Sequence, residues 1–222
     1  MLLPLRDVNP TRRFPIVTVL IIAVNTAVFF IQALSPQGLE VLILRMGAVP
    51  YEFTHFTSLS QVPRIPAALT LLTSMFLHAG LFHLLGNMLY FWIFGNNVED
   101  FLGPARFILF YLFSGLGAAL THIAFNPSSQ VPMVGASGAI AGVLGGYFLL
   151  YPRARVDTLI FLFVFIRVVP VPAALVLGFW FLAQFLNIGL GGGVAWFAHI
   201  GGFLVGAVLI KALSPRRKPA QD

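Results

Sequence analysis

Four neutral side chains set in apolar sequence have the types and spacing that acyl transfer requires. Ser137 stands in Gly135-Ala136-Ser137-Gly138, His199 stands in Ala198-His199-Ile200-Gly201-Gly202, and His83 and Asn87 lie four residues apart. A serine hydroxyl becomes a useful nucleophile when a base takes its proton, and histidine is the commonest base. Attack on a peptide carbonyl creates an oxyanion, which needs hydrogen-bond donors placed in advance. His83 and Asn87 would share one helical face and can offer N–H groups, with the backbone N–H of Ser137 as a third donor. No acid is available to orient His199, so the arrangement would be a Ser–His pair rather than a three-residue relay. Taken singly, each residue has a plainer reading. A serine among glycines in a membrane helix is usually a packing residue, and a lone Asn or His is usually an interhelical hydrogen-bond partner. His55 and His122 have no companions at useful spacing and are read as structural. Packing and catalysis therefore both stay open at this point.

The elements that would carry these residues follow from composition. Of the 222 residues, 59% are hydrophobic and 9% charged, whereas soluble domains carry roughly 25% charged residues. An ordinary soluble domain is excluded. Apolar blocks run over about Phe14–Leu34, Leu81–Phe94, Phe107–Phe125, Ser137–Tyr151, Pro172–Leu190 and Val194–Leu213. The stretch from Ser35 to Pro66 is too polar to cross lipid. The expected fold class is all-α: a polytopic membrane protein with a bundle of six transmembrane helices. Its parts are a cytoplasmic N-terminal segment (1–13), the six-helix membrane domain (14–213) and a basic cytoplasmic tail (214–222). A seventh apolar piece, Thr158–Pro170, is interrupted by Arg167 and proline and is short enough to be re-entrant or interfacial.

Orientation follows from the basic residues. With six spans and a cytoplasmic N-terminus, all 13 Lys and Arg except Arg45 and Arg64 fall on the inner side, as the positive-inside rule requires. The net charge of +6 is thereby accounted for, and no nucleic-acid partner is expected. The first block exceeds the 7–15 residues of a signal core and reads as an uncleaved span. The chain has no cysteine, no His-Glu-x-x-His, and no acid in the middle of a span. Those absences argue against thiolate and zinc chemistry, an aspartate-dyad protease and a carboxylate-based transporter. No metal or cofactor is expected.

In that topology the second, fourth and sixth spans all start on the outer side, so His83, Ser137 and His199 share the outer half of the bilayer. From Ser137 to Pro152 the helix covers roughly 22 Å of a hydrocarbon core about 30 Å thick, which recesses Ser137 below the outer surface. The preceding Asn126–Ala136 stretch would be irregular backbone at membrane depth, tolerated only where it is buried in protein or lines a wet cavity. Gly138, Gly142 and Gly146 recur every fourth residue, as do Gly202 and Gly206. Small residues at this spacing let helix backbones approach closely. Two parallel helices in such contact would bring Ser137 within hydrogen-bond reach of His199.

With these motifs in place the chain resembles the rhomboid family of intramembrane serine proteases. The resemblance rests on His78-x4-His83-x3-Asn87, on Gly135-Ala136-Ser137-Gly138, on Ala198-His199-x2-Gly202-x3-Gly206, and on Glu99-x3-Gly103 followed by Arg106 and Phe107, in that family's order over about Thr70–Lys211. It implies a six-helix core that cleaves single-span or otherwise membrane-anchored protein substrates near the outer face of the lipid bilayer. By resemblance Ser137 is the nucleophile, His199 the base, and His83 and Asn87 line the oxyanion site. His78 would hold the first loop, and Glu99, Arg106, Gly135, Gly138, Gly202 and Gly206 would be structural. Many members carry Trp-Arg shortly before the equivalent of His78; here Leu69 and Thr70 stand there, which bears on the first loop rather than on the chemistry.

The competing reading is an inactive relative that binds membrane clients without cutting them. Such relatives typically lack the serine or the histidine, and this chain keeps both. A transporter would predict internal repeats around a midplane site, and no repeat is visible. A mobile fifth helix, facing lipid with Phe179, Trp180 and Phe181, is the expected route of substrate entry. A multi-pass protein of a prokaryotic cytoplasmic membrane with both termini inside is the expected location. Substrate identity and oligomeric state are not encoded in any motif.

Overall fold

A computed structural model describes residues 2–57, 59, 64–162, 165–188 and 194–215. Among these, helices α1 (Ile16–Leu34), α2 (Gly38–Met46), α3 (Pro50–His55) and α4 (Ala67–Thr73) precede the longer α5 (Leu81–Leu102) and α6 (Pro104–Phe125). The chain then forms α7 (Ser137–Leu150), α8 (Ala173–Leu186) and α9 (Trp196–Ala212). By length and apolarity α1 and α6 can each cross a membrane. The segment Ala67–Phe76 and α5 form a pair bent by 79° at its break that passes the same test together, and α7, α8 and α9 are shorter apolar helices. The fold is thus a mostly helical membrane bundle.

At the centre stands α7, buried without interruption from Gly138 to Tyr147. A helix that is apolar all round, as this one is, belongs inside a bundle. Around it α5 and α6 contribute Phe91, Phe94, Phe107, Phe110 and Tyr111, all fully buried together with Tyr147 of α7. The α7–α9 contact is made by backbone. A Cβ on Gly202 would run into the carbonyl oxygen of Gly138, and one on Gly206 into that of Gly142. Gly138 facing Gly202 and Gly142 facing Gly206 also make the two helices parallel.

The N-terminus of α1 is held from outside the helix. Pro15 provides no side-chain cap. Instead the buried Glu99 of α5 accepts hydrogen bonds from the N–H groups of Val17 (2.9 Å) and Thr18 (2.8 Å) and from the Thr18 hydroxyl (2.8 Å). Free N–H groups and the helix dipole make this end a natural seat for a carboxylate. α5 runs two turns past the expected end at Phe94, which is what carries Glu99 there. Arg106 is exposed at the start of α6.

Two expectations are corrected. The chain is not all-α: strands β1 (Leu2–Asp7), β2 (Arg155–Leu162) and β3 (Phe165–Pro172) form an antiparallel sheet in that order. The Thr158–Pro170 piece, expected to be re-entrant or interfacial, forms most of a β-hairpin, with Arg155 opposite Pro172 and Ile160 opposite Arg167. Its residues are largely β-branched or aromatic, which suits a pleated surface, and its prolines lie on β3, an edge strand where the missing N–H costs nothing. The residues assigned to the N-terminal segment supply the third strand. The second correction concerns α8. Phe179 is exposed, whereas Trp180 and Phe181 are half-buried and turned onto α9, Phe181 stacking on Phe203 at 4.4 Å. Three consecutive residues on a helix, each about 100° from the last, cannot all face lipid. The tail from 216 onward lies outside the described residues.

Candidate active site

Ser137 is the first residue of α7 and His199 lies in the first turn of α9. Because the glycine contacts set the two parallel helices in register, their N-terminal ends meet. His199 Nε2 lies 2.8 Å from Ser137 Oγ. A close backbone approach, not a side-chain network, is what brings the hydroxyl to the imidazole.

The other side of the imidazole has a partner that sequence reasoning missed. His199 Nδ1 lies 2.8 Å from Oε1 of Gln184, which is buried on α8 and donates through Nε2 to the Trp180 carbonyl at 2.7 Å. The indole of Trp180 is tilted against the imidazole at 36° with centroids 5.7 Å apart, and Trp196 meets it edge-on at 6.1 Å. A neutral amide inside an apolar helix was the available signal, because polar groups at such positions tend to be functional.

His83 and Asn87 both face the cavity from α5. Nδ2 of Asn87 is buried and has no hydrogen-bond partner among the described residues. A buried unpaired donor costs stability, and it is the kind of exception that calls for an explanation. The Ala79 N–H reaches toward His83 Nδ1 at 3.5 Å, which leaves Nε2 to carry the proton and donate. Gly135, with φ of +125°, carries the chain into α7 in a conformation that side chains resist. A Cβ there would sit 2.8 Å from the His83 ring and 3.6 Å from Ser137 Oγ, so this glycine gives His83 its place beside the serine.

The backbone before α7 is irregular, as expected, and its polar groups are paired with the first loop. Ala48 and Met133 exchange hydrogen bonds at 3.1 and 2.7 Å, the Tyr51 N–H donates to Ser129 at 2.9 Å, and the Gly135 N–H donates to Ser74 at 2.8 Å. Val131, Pro132, Met133 and Val134 then line a cavity of about 780 Å³ that holds Ser137, His199, His83 and Asn87.

His78 is buried, with its ring edge-on to His83 at 5.2 Å. Its backbone N–H donates to Gln32 of α1 at 3.1 Å, and its ring nitrogens have no partner among the described residues. Leu69 and Thr70 lie in α4, Thr70 bonded to the Ala67 carbonyl at 2.6 Å. His55 stacks on Tyr51 at 3.8 Å and His122 sits beside Asn126, both away from the cavity.

A membrane helical bundle with a hydroxyl and an imidazole in contact at the mouth of two glycine-packed helices defines a class. Residues 66–216 match the Rhomboid domain family. The chain is 30% identical over 198 residues to Rhomboid protein 1, mitochondrial, of Saccharomyces cerevisiae, covering 82% of this chain and 54% of the relative. It is 39% identical over 146 residues to RHOMBOID-like protein 2 of Arabidopsis thaliana, covering 63% and 40% of the two chains. With Rhomboid protease GluP of Bacillus subtilis it shares 44% identity over 81 residues, 36% of this chain and 15% of that one. This chain belongs to the rhomboid family. It spans about half or less of the length of these relatives. Their names point to mitochondrial as well as bacterial and plant proteins, so the expectation of a prokaryotic membrane gains no support from them; a membrane protein is what stands.

Proposed function

We propose that this chain is a serine endopeptidase that hydrolyses peptide bonds of membrane-anchored proteins inside the bilayer. The contact of 2.8 Å between Ser137 Oγ and His199 Nε2 carries the reading. In the acylation step Nε2 takes the hydroxyl proton as Oγ attacks the scissile carbonyl. The oxyanion is met by Nδ2 of Asn87, by Nε2–H of His83 and by the N–H of Ser137, which opens a helix and has no intrahelical acceptor. The imidazolium returns the proton to the leaving amine, and the C–N bond breaks. Water then enters, gives a proton to His199 and attacks the acyl ester, releasing the carboxylic acid and regenerating the hydroxyl.

The topology belongs to the same proposal. Helices α1, α5, α6, α7, α8 and α9 are the six crossings, with 1–13 and 214–222 on the cytoplasmic side and the Ser–His pair in the outer half of the membrane. The sheet then lies on the inner side, where α7 ends and α8 begins. At 14 residues α7 is about 21 Å long, short of the hydrocarbon thickness, which leaves room for water above Ser137. Single-span proteins of the same membrane are the proposed substrates.

Cleavage of a single-span substrate in proteoliposomes by the wild type and by Ser137→Ala tests this reading. Cleavage by the wild type and none by the variant is expected. Equal products from both would reject the assignment of Ser137, and binding without cleavage by the wild type would favour an inactive client-binding relative.

A further inference from the structure

Gln184 is the only amide or hydroxyl side chain in α8, and its two ends face unlike partners. Nε2 points at the Trp180 carbonyl, 2.7 Å away. A carbonyl oxygen only accepts, so the amide NH₂ must lie on that side. Oε1 is then turned to His199 Nδ1 at 2.8 Å, and an amide oxygen also only accepts. Nδ1 must therefore carry the hydrogen. A neutral imidazole has one N–H, which leaves a lone pair on Nε2, facing Ser137 Oγ at 2.8 Å. The reversed amide would push the hydrogen onto Nε2 and set a donor against the serine. Nothing intrinsic to imidazole selects the form that can accept the serine proton; the bond made by the other nitrogen does.

We propose that Gln184 is a positioning residue that fixes the tautomer and ring plane of His199, and that it makes the base competent only while α8 is seated. The second half of this statement comes from how α8 is held. Its buried residues are Ala173, Val176, Leu177 and Gln184. Three of the four lie near the sheet, so from Gly178 to Leu186 only Gln184 is buried. At the level of the site, α8 is attached by this amide and by the rings of Trp180 and Phe181, both set against Phe203 of α9. Displacing this half of α8 withdraws Oε1 and frees the imidazole to take its other form. Access along α8 and basicity at Ser137 are thus opposed states of one contact, and the chain needs no carboxylate to orient its histidine.

The consequence for catalysis rests on the serine-protease reading, but the tautomer can be observed without turnover. In ¹⁵N-histidine-labelled protein reconstituted in bilayers, the neutral His199 ring is expected to show a protonated Nδ1 and an unprotonated Nε2. Gln184→Leu should lose that signature and lower kcat by about 10²-fold, the lower end of what a positioned base supplies, with KM unchanged. Gln184→Glu, which still accepts from Nδ1–H, should keep the signature and recover most of the rate. Phe181→Ala removes the ring stacked on Phe203 of α9 and loosens α8 while leaving the Gln184 amide in place, and it should bring in part of the altered signal. A wild-type His199 spectrum in Gln184→Leu overturns the proposal, and a wild-type spectrum in Phe181→Ala overturns the link to α8. Loss of the signature in Gln184→Leu with no cleavage by the wild type would leave the positioning intact and reject the protease. Ser137-dependent cleavage with an unchanged spectrum would do the reverse.

Discussion

A methyl group added at Gly202 tests how closely the active pair depends on helix backbones. The Cβ of Gly202→Ala would stand 3.1 Å from the carbonyl carbon of Gly138 and 3.3 Å from the Ala118 Cβ, with the Gly138 oxygen nearer still. Carbon atoms at rest sit about 3.5–4.0 Å apart. α7 is enclosed from Gly138 to Tyr147, so α9 must give way, by about 1 Å at this level. Gly202 is three residues from His199, and Gly138 adjoins Ser137. The displacement therefore falls on the 2.8 Å Oγ–Nε2 contact and carries it past the roughly 3.5 Å at which a hydrogen bond ceases to count. A misplacement of about 1 Å lowers a rate by about 10²-fold, and overpacking of this kind costs about 1–3 kcal/mol. The assay is turnover of a single-span substrate in proteoliposomes alongside thermal unfolding in the same lipid. Gly178→Ala is the control, because its Cβ would meet only Phe148 at an ordinary 4.0 Å, and both rate and stability should stay close to wild type. Wild-type kcat in Gly202→Ala, whatever its stability, would refute the claim that this backbone contact sets the pair.

Other expectations follow from single contacts. Asn87→Ala removes a buried donor that has no protein partner among the described residues, so kcat should fall by about 10²-fold or more with little loss of stability. Glu99→Ala strips three hydrogen bonds from the start of α1; at about 1.5–3 kcal/mol for each bond to a charged group, a loss of several kcal/mol in unfolding experiments and protease sensitivity near residue 16 are expected. Asp7 of β1 accepts a hydrogen bond from Tyr147 at 2.9 Å, and desolvation raises its pKa from 3.8 to about 6, the Tyr147 hydroxyl opposing part of the rise. The folded chain therefore holds this proton where the unfolded chain has lost it. The group's contribution is fully present below about pH 4 and is lost as the pH rises to about 6. Asp7→Asn should flatten the fall in stability across that window, as read by the unfolding midpoint at each pH.

The sequence displayed some of this architecture and concealed the rest for identifiable reasons. The four-residue glycine spacing is a direct record of backbone contact, because nothing larger fits at Gly138, Gly202 and Gly206. Ser137 and His199 could therefore be brought together from this spacing combined with the expected six-span topology, which put both at the same end of parallel helices. The sheet was hidden because an apolar run flanked by spans invites a membrane interpretation; the alternation and β-branching of 155–172 argue for strands only once a third strand is known to complete them. That strand comes from Leu2–Asp7, and a pairing across some 150 residues leaves no local trace. Gln184 leaves no spacing signature, because an amide fifteen positions before His199 shares no helix with it. The direction of Trp180 and Phe181 could have been read from helical periodicity, since adjacent residues point about 100° apart.

Reaction with a serine-directed fluorophosphonate, followed by mass-spectrometric mapping of the adduct, tests the central claim most directly. The account predicts one adduct, on Ser137, that disappears in His199→Ala and survives in Gly178→Ala. An adduct elsewhere, or one on Ser137 that forms at the same rate without His199, would contradict it.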